Sequence, residues 1–354
     1  MSTGIPCMLM RGGSSKGAYF LADELPADAA ERDSLLRRIM GSPDSRQIDG
    51  VGGAHPLTSK VAIVGSCSDQ SADIEYLFLQ VGVEDGGVSD RQNCGNLLAG
   101  VGPFALERAL ITTSGDASEA TVRILMRNTD TVATARFPVH GGAPVYDGVT
   151  AISGVPGTAA AIDLEFDDLG GGSCGSMLPT GNIVDTIRGV ECTLIDNGMP
   201  VVVLRAADVG ATGHETCAEL EANEELRTEV EKIRLEAGPL MNLGEVSDTT
   251  VPKMTLVAPP GTGGHLLTRT FIPHRCHEAI GVLGAVSVAT AGLLEGSPAS
   301  EVIEYPGEGA VRLEHPTGFF DAVVELSGNR VERAGIVRTA RKLMDGIVFP
   351  RTND

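Results

Sequence analysis

The stretch AHPLTSKVAIV, residues 54–64, places a lysine, Lys60, at the mouth of an apolar, β-branched run, and RQNCGNLLAG, residues 91–100, places a cysteine, Cys94, at the mouth of a second. Neither an ammonium nor a thiol helps packing there. Lys60 follows a turn and precedes a strand expected to be buried, and a lysine desolvated in that position has a lowered pKa and can act as a base near neutrality. The bland alternative is a strand-edge lysine whose stem packs while its head reaches water. Cys94 precedes Gly-Asn and opens a run of helical length, where first-turn N–H groups and the helix dipole stabilise a thiolate or an anionic ligand. Its bland alternative is a small buried hydrophobe.

Three further clusters carry polar chemistry. MRGGSSKG, residues 10–17, sets Arg11, Ser14, Ser15 and Lys16 around two glycines, a cradle suited to a carboxylate. It lacks the spacing of a phosphate-binding Walker loop, and APPGTGGHLL fails the same test because Gly264 and His265 stand where Lys and Ser/Thr are needed. PHRCH supplies His274, Arg275, Cys276 and His277 on one short segment. Adjacent ligands of that kind rarely reach one ion together, so the cluster reads as cationic and polar groups at a helix N-terminus, a second anion site, with no metal expected.

Bulk composition narrows the class. A chain of 354 residues with 42% hydrophobic content suits two compact domains better than one. Its 45 Gly and 19 Pro point to many short strands and turns. The net charge of -20 argues against nucleic acid, since a polyanion binder needs clustered Lys and Arg, and with no Trp there is little to stack bases on. Seven Cys, an odd number without a CxxC pair, fit free thiols in a reducing cytosol. The apolar start is too short for a signal peptide, and the most apolar window, residues 279–294, is too short for a membrane span, so a cytoplasmic protein is expected.

The elements that must position these groups follow from pattern. Residues 28–41 read as a charged surface helix closed by Gly41, SKVAIVGS as a buried strand, and ATVRILMRNTDTVATARFPV as a hairpin turning at NTD. Residues 94–110 read as an apolar helix that Pro103 kinks or splits, and residues 219–235 as one solvated, oppositely charged helix. A second helix, apolar on every side, is expected to open at Cys276. Two such helices, each needing a wrapper, imply a duplication: two similar domains, each a curved sheet around one buried helix, with a boundary near the triple glycine 170–172.

Together MRGGSSKG, HPLTSKVAIV, RQNCGNLLAG and FIPHRCHEAIGVLGAVSVATA resemble the PrpF-type isomerases of the diaminopimelate epimerase-like superfamily, over nearly the whole chain. The resemblance implies an α+β fold of two pseudo-symmetric domains, each a barrel-like sheet around a central helix, with the active site in the interdomain cleft. It sets the domains at residues 1–180 and 181–334, with the tail from about 335 to 354 packing back on the first. It also implies a lysine and a cysteine of the first domain as acid/base pair, matching Lys60 and Cys94. Cys276 falls near the second cysteine of the epimerases, but His277 departs from their CGTG pattern, which speaks against racemisation. Within the branch the PHRC segment looks most like the 4-oxalomesaconate tautomerases.

A 1,3-proton shift in an unsaturated polycarboxylate needs a base at one atom and a donor at the atom that receives charge, and two groups of unlike type do this without a cofactor. The expected assignment is Lys60 as base and Cys94 as acid. Backbone N–H groups of Gly95 and Asn96, with Asn93 and Ser14, are expected to hold the enolate; Arg11, Lys16, Arg275 and His277 to hold carboxylates; Ser59 and Cys276 to complete the lining. A di- or tricarboxylate is the expected partner, with a homodimer as a candidate assembly. The related allylic isomerisations, of oxalomesaconate or of aconitate and methylaconitate, are the runner-up, and a silent polycarboxylate-binding protein is the reading outside enzymes.

Overall fold

The computed structural model describes residues 4–352 except 69, 91, 92 and 168. The chain divides into two compact units, Met1–Asp167 with Arg338–Asp354, and Asp168–Val337. The triple glycine thus lies just inside the second unit.

In unit 1 the strands β1 (Ile5–Gly12) and β2 (Ser15–Leu21) form a hairpin, followed by helix α1 (Ala29–Met40). Asp28 caps α1 by accepting from Glu31 N at 3.0 Å, and Gly41 ends it in the left-handed region at φ 83°. Strands β3 (Lys60–Ser66), β4 (Ile74–Val81) and β5 (Val88–Ser89) come next, then α2 (Gly95–Glu107), then β6 (Glu119–Met126), β7 (Thr131–His140), β8 (Ala143–Pro144) and β9 (Ala161–Phe166).

Unit 2 carries β10 (Asp185–Ile187), β11 (Val190–Asp196), β12 (Pro200–Arg205), α3 (Cys217–Ala222), α4 (Glu224–Leu240), β13 (Lys253–Ala258), β14 (Leu266–Ile272), β15 (Arg275–Cys276), α5 (Val282–Leu293), β16 (Val311–His315) and β17 (Gly318–Ser327). The last strand, β18 (Arg330–Val348), begins in unit 2 against β17 and ends in unit 1 against β1. In unit 1 the pairings run β1, β2, β3, β4, β6, β7, β9, and both β9 and β1 pair with β18, so the order closes on itself.

Helix α2 lies inside this barrel, touching β1, β2, β3, β4, β7, β8 and β9. Every residue from Leu97 to Leu106 is buried. Enclosure of that kind is what an apolar surface without a polar stripe requires, and each fully buried Leu, Val or Phe contributes about 1.5–3 kcal/mol. The helix fits because it is thin: a Cβ on Gly100 would stand 2.5 Å from the Tyr19 hydroxyl. Strand alternation sorts the wall into two faces. Val61, Ile63, Leu79 and Val81 pack outward with α1 in one cluster, whereas Tyr19, on the inward face of β2, donates to Leu97 O at 2.6 Å.

Three expectations are corrected. Pro103 does not split α2; Gly95–Glu107 is one helix with the proline inside it. The charged helix of 219–235 is two, because Asn223 ends α3 in extended conformation and caps α4, accepting from Leu226 N at 3.0 Å. Cys276 does not open the second apolar helix. It sits in β15, and α5 begins at Val282 with Gly281 as its extended N-cap. PHRCH is therefore a strand-edge turn, not a helix N-terminus. Among the described residues no helix is long and apolar enough to cross a membrane.

Candidate active site

Lys60 is the first residue of β3, 7% exposed, paired in parallel with Gly17 and antiparallel with Gln80. By alternation it shares the inward face with Ala62, Phe78 and Gln80, the face that carries α2. Its Nζ donates to Gln80 Oε1 at 2.9 Å and stands 4.9 Å from the Phe78 ring centroid. The Gln80 amide is itself fixed, since its Nε2 donates to Ser59 O at 2.8 Å and Pro56 O at 3.1 Å. The lysine head thus meets a neutral oxygen and an aromatic face, with no carboxylate in contact among the described residues.

Cys94 is the N-cap of α2, 9% exposed, and its side chain makes no capping bond. Tyr76, inward on β4, donates to Cys94 O at 3.4 Å. No acidic residue occupies the first turn, and the N–H groups of Gly95 and Asn96 find no acceptor among the described residues. The Lys60 backbone and the Leu97 side chain of the first turn of α2 both crowd Gly17, where an added Cβ would stand 2.8 Å from Lys60 O and 2.7 Å from Leu97 Cδ2.

The glycine pair of the β1–β2 turn is needed for the same approach. Gly13 adopts φ +51°, and a Cβ there would meet Asn96 Oδ1 at 2.1 Å. Asn96 Nδ2 donates to Ser14 Oγ at 3.2 Å and more weakly to Ser15 Oγ at 3.4 Å, tying the turn to the helix end. Asn93 Nδ2 donates to Thr129 Oγ1 at 2.7 Å, while its Oδ1 is buried without a partner. Arg91 and Gln92, which begin the RQNC stretch, lie outside the described residues.

Two expected contacts have internal partners instead. Arg11 lies on the other face of β1 from Met10 and Gly12, and its Nη1 donates to Gly13 O, Thr339 O and Thr339 Oγ1 at 2.9–3.0 Å. Burial and then the facing Arg341 push its pKa down. Ser59 is fully buried, donating to Val81 O and accepting from Gln47 Nε2, so it braces the strand entry behind Lys60. Lys16 shares Arg11's face, and its Nζ lies 3.3 Å from where a Cβ on Gly53 would be.

In unit 2, Arg275 is exposed and 3.8 Å from Glu221. Cys276 is buried, and burial followed by the hydrogen-bonded Cys217 thiol pushes its pKa up to about 12. His277 N donates to Thr270 O at 2.8 Å, and its Nδ1 accepts from Ala279 N at 2.8 Å, which leaves the proton on Nε2. Burial, then Lys253, lower the His277 pKa against an opposing effect of Glu278. The APPGTGG loop, which mimics a phosphate cradle in sequence, already holds an anion: Gly261, Thr262 and Gly264 N–H groups donate to the Glu314 carboxylate. Among the described residues no three His, Cys, Asp or Glu side chains group as metal ligands.

Sequence reasoning missed Gln80, the oxygen that fixes Lys60, and Cys217 beside Cys276. Gln80 carried a readable signal, since it sits in the alternating run DIEYLFLQV that follows the lysine's own strand.

A barrel enclosing a helix, with a lysine on the inward wall and a cysteine at the helix cap, defines a diaminopimelate epimerase-like isomerase fold. The PrpF protein family matches residues 2–351. A (4E)-oxalomesaconate Delta-isomerase of Novosphingobium sp. (strain KA1) is 58% identical over 349 residues, covering 97% of each chain. A 4-oxalomesaconate tautomerase of Pseudomonas putida is 56% identical over 348 residues, covering 98% of this chain and 96% of that one. The crystal structure of a methylitaconate-delta-isomerase superposes with a TM-score of 0.91 at 34% identity, over 99% of this chain and 96% of that one. The chain belongs to the PrpF family, and it is an isomerase.

Proposed function

We propose that this isomerase moves a proton across a three-atom unit of 4-oxalomesaconate, interconverting its keto and enol forms, in the cytoplasmic breakdown of aromatic acids and without a cofactor. The observation that supports the reading is that Lys60 lies on the helix-facing wall of β3, with its backbone and the first turn of α2 both packed on Gly17, while Cys94 caps that helix. Lys60 in its amine form takes the proton from carbon. The dienolate charge is met by the Gly95 and Asn96 N–H groups, and the Cys94 thiol returns a proton at the far atom, each transfer contributing about a hundred- to ten-thousand-fold. Ser14 and Asn96 orient the turn over the bound acid.

The Novosphingobium relative's name favours a second reading, a carbon-to-carbon double-bond shift on the same acid, which the same base and acid would serve. The purified protein given keto 4-oxalomesaconate, without metal or nucleotide, separates them: tautomerisation changes the ultraviolet absorbance and replaces the CH2 signal by a second vinylic proton in the NMR spectrum, whereas a Δ-shift keeps one CH2 and one vinylic proton at exchanged positions. Lys60→Met should abolish either change while the circular dichroism stays native. Full activity in that variant would refute the base assignment.

A further inference from the structure

The order of elements in unit 1 recurs in unit 2. In unit 1, β2 lies parallel to β3, β3 antiparallel to β4, and β4 antiparallel to β5; α2 follows, and β6 returns parallel to β4. In unit 2, β12 lies parallel to β13, β13 antiparallel to β14, and β14 antiparallel to β15; α5 follows, and β16 returns parallel to β14. β13 therefore holds the place of β3. Its first residue is Lys253, as Lys60 is the first of β3.

The face of β13 that Lys253 occupies follows from its neighbours. Met254, Leu256 and Ala258 pack with Leu220, Leu226, Val230 and Ile233 of α3 and α4. Lys253 and Thr255 thus point to the opposite face. There the Thr255 hydroxyl meets that of Thr270 at 3.0 Å, and Thr270 O accepts the His277 N–H.

The two donors of this patch lack a contact partner, although Glu278 opposes the effect of Lys253 on His277. The Lys253 ammonium makes no hydrogen bond or ion pair among the described residues, and the His277 Nε2–H has no acceptor among them either. Burial, then the Arg234 guanidinium, push the Lys253 pKa down, and Lys253 in turn disfavours the charged form of His277. A half-buried cation without an anionic partner is costly, and a carboxylate relieves that cost. A lysine that merely snorkels would place its head in water and leave its neighbours' charge unaltered.

We propose that Lys253 binds a carboxylate within unit 2, with the His277 Nε2–H as its fellow donor, the class of ligand resting on the polycarboxylate reading above. Unit 2 then repeats the lysine of unit 1 in a different task, one lysine moving a proton and the other holding charge.

The test uses Lys253→Met, which keeps the apolar stem, and Lys253→Arg, which keeps the charge. The probes are tricarballylate, a saturated tricarboxylate that cannot isomerise, in calorimetry, and 4-oxalomesaconate in steady-state kinetics. A charge-assisted contact predicts that Lys253→Met weakens tricarballylate and raises KM by about ten- to a hundredfold, with kcat changed far less, and that Lys253→Arg recovers most of the loss. Unchanged tricarballylate affinity and KM in Lys253→Met overturn the proposal, whatever the wild type turns over. Loss of tricarballylate binding in Lys253→Met from a wild type that isomerises none of these acids supports Lys253 and refutes the isomerase substrate. A wild type that shows no tricarballylate binding, with KM for 4-oxalomesaconate unmoved by Lys253→Met, also overturns it.

Discussion

The Gln80 carboxamide spends both N–H bonds on the carbonyls of Pro56 and Ser59, so its oxygen is turned to the Lys60 ammonium at 2.9 Å. A neutral acceptor orients the lysine head without adding a charge beside it. A carboxylate in that place would favour the ammonium, because an opposite charge in contact stabilises the protonated form. Gln80→Glu should therefore cut turnover at neutral pH by about tenfold or more and move the acidic limb of the kcat profile to higher pH, since a shift of one unit is about 1.4 kcal/mol. Gln80→Leu should lower kcat without that upward movement. A pH–rate series on both variants checks the pair, and identical profiles would show that Gln80 only packs.

Gly13 answers to two demands at once, a left-handed φ of +51° and contact with Asn96 at 2.1 Å from a would-be Cβ. Gly141 shares the first demand, at φ +58°, but nothing stands within 4 Å of it. Gly141→Ala should cost about 1–2 kcal/mol of stability and leave activity intact. Gly13→Ala should cost at least as much and also reduce activity, because the Ser14 turn must move off the α2 N-terminus. Equal activity in the two variants, measured beside their melting temperatures, would detach the turn from the site.

These contrasts mark what the chain discloses by itself. Lys60, Cys94 and both buried helices were legible because an ionisable group at the edge of an apolar run is a local signal. The start of α5 was not: Ala279 and Ile280 continue the apolar text upstream of it, and Gly281 caps by backbone angle alone, with no side-chain bond to announce it. Nor was the facing of Arg11 and Lys16, because the register of the β1–β2 hairpin decides which of its neighbours points inward. Glu314, which fills the glycine loop at 261–264, lies far along the chain, and no pattern within the loop reveals its occupant.

That glutamate carries a pH signature. Burial alone would raise its pKa, but the N–H groups of Thr262, Gly264 and Gly261 outweigh burial and hold it below the ordinary 4.5. A carboxyl depressed in the folded state contributes stability in full above the unfolded value and loses it as pH falls through the folded one. Stability should thus decline progressively below pH 4.5. Glu314→Gln should lower stability at pH 7 by about 1–3 kcal/mol, as amide hydrogens face backbone N–H groups, and should flatten that acid decline. Urea titrations from pH 7 to pH 3 provide the reading; parallel curves for the two proteins would count against the nest.

The C-terminal half of β18 closes the barrel, and backbone pairing and ion pairs make separable contributions there. Residues 340–348 run antiparallel to β1, and Thr339 receives Arg11. The same segment sends Asp345 to Arg108 and Lys342 to Glu107, and Arg108, at a side-chain exposure of 18%, holds the Asp345 carboxyl below its ordinary range. The Asp345 side chain is 39% exposed, so the bridge is screened and Asp345→Asn should cost no more than about 1 kcal/mol. Deleting residues 338–354 instead leaves β1 an open edge and the Arg11 guanidinium without its two Thr339 acceptors, an exposed template for aggregation. The truncated chain should accumulate as insoluble protein while Asp345→Asn stays soluble with a nearly native melting temperature. If the truncated chain were soluble and cooperative in its unfolding, the barrel would have to be stable without its closing strand, and the pairing of β1 with β18 would be incidental to the fold that holds Lys60.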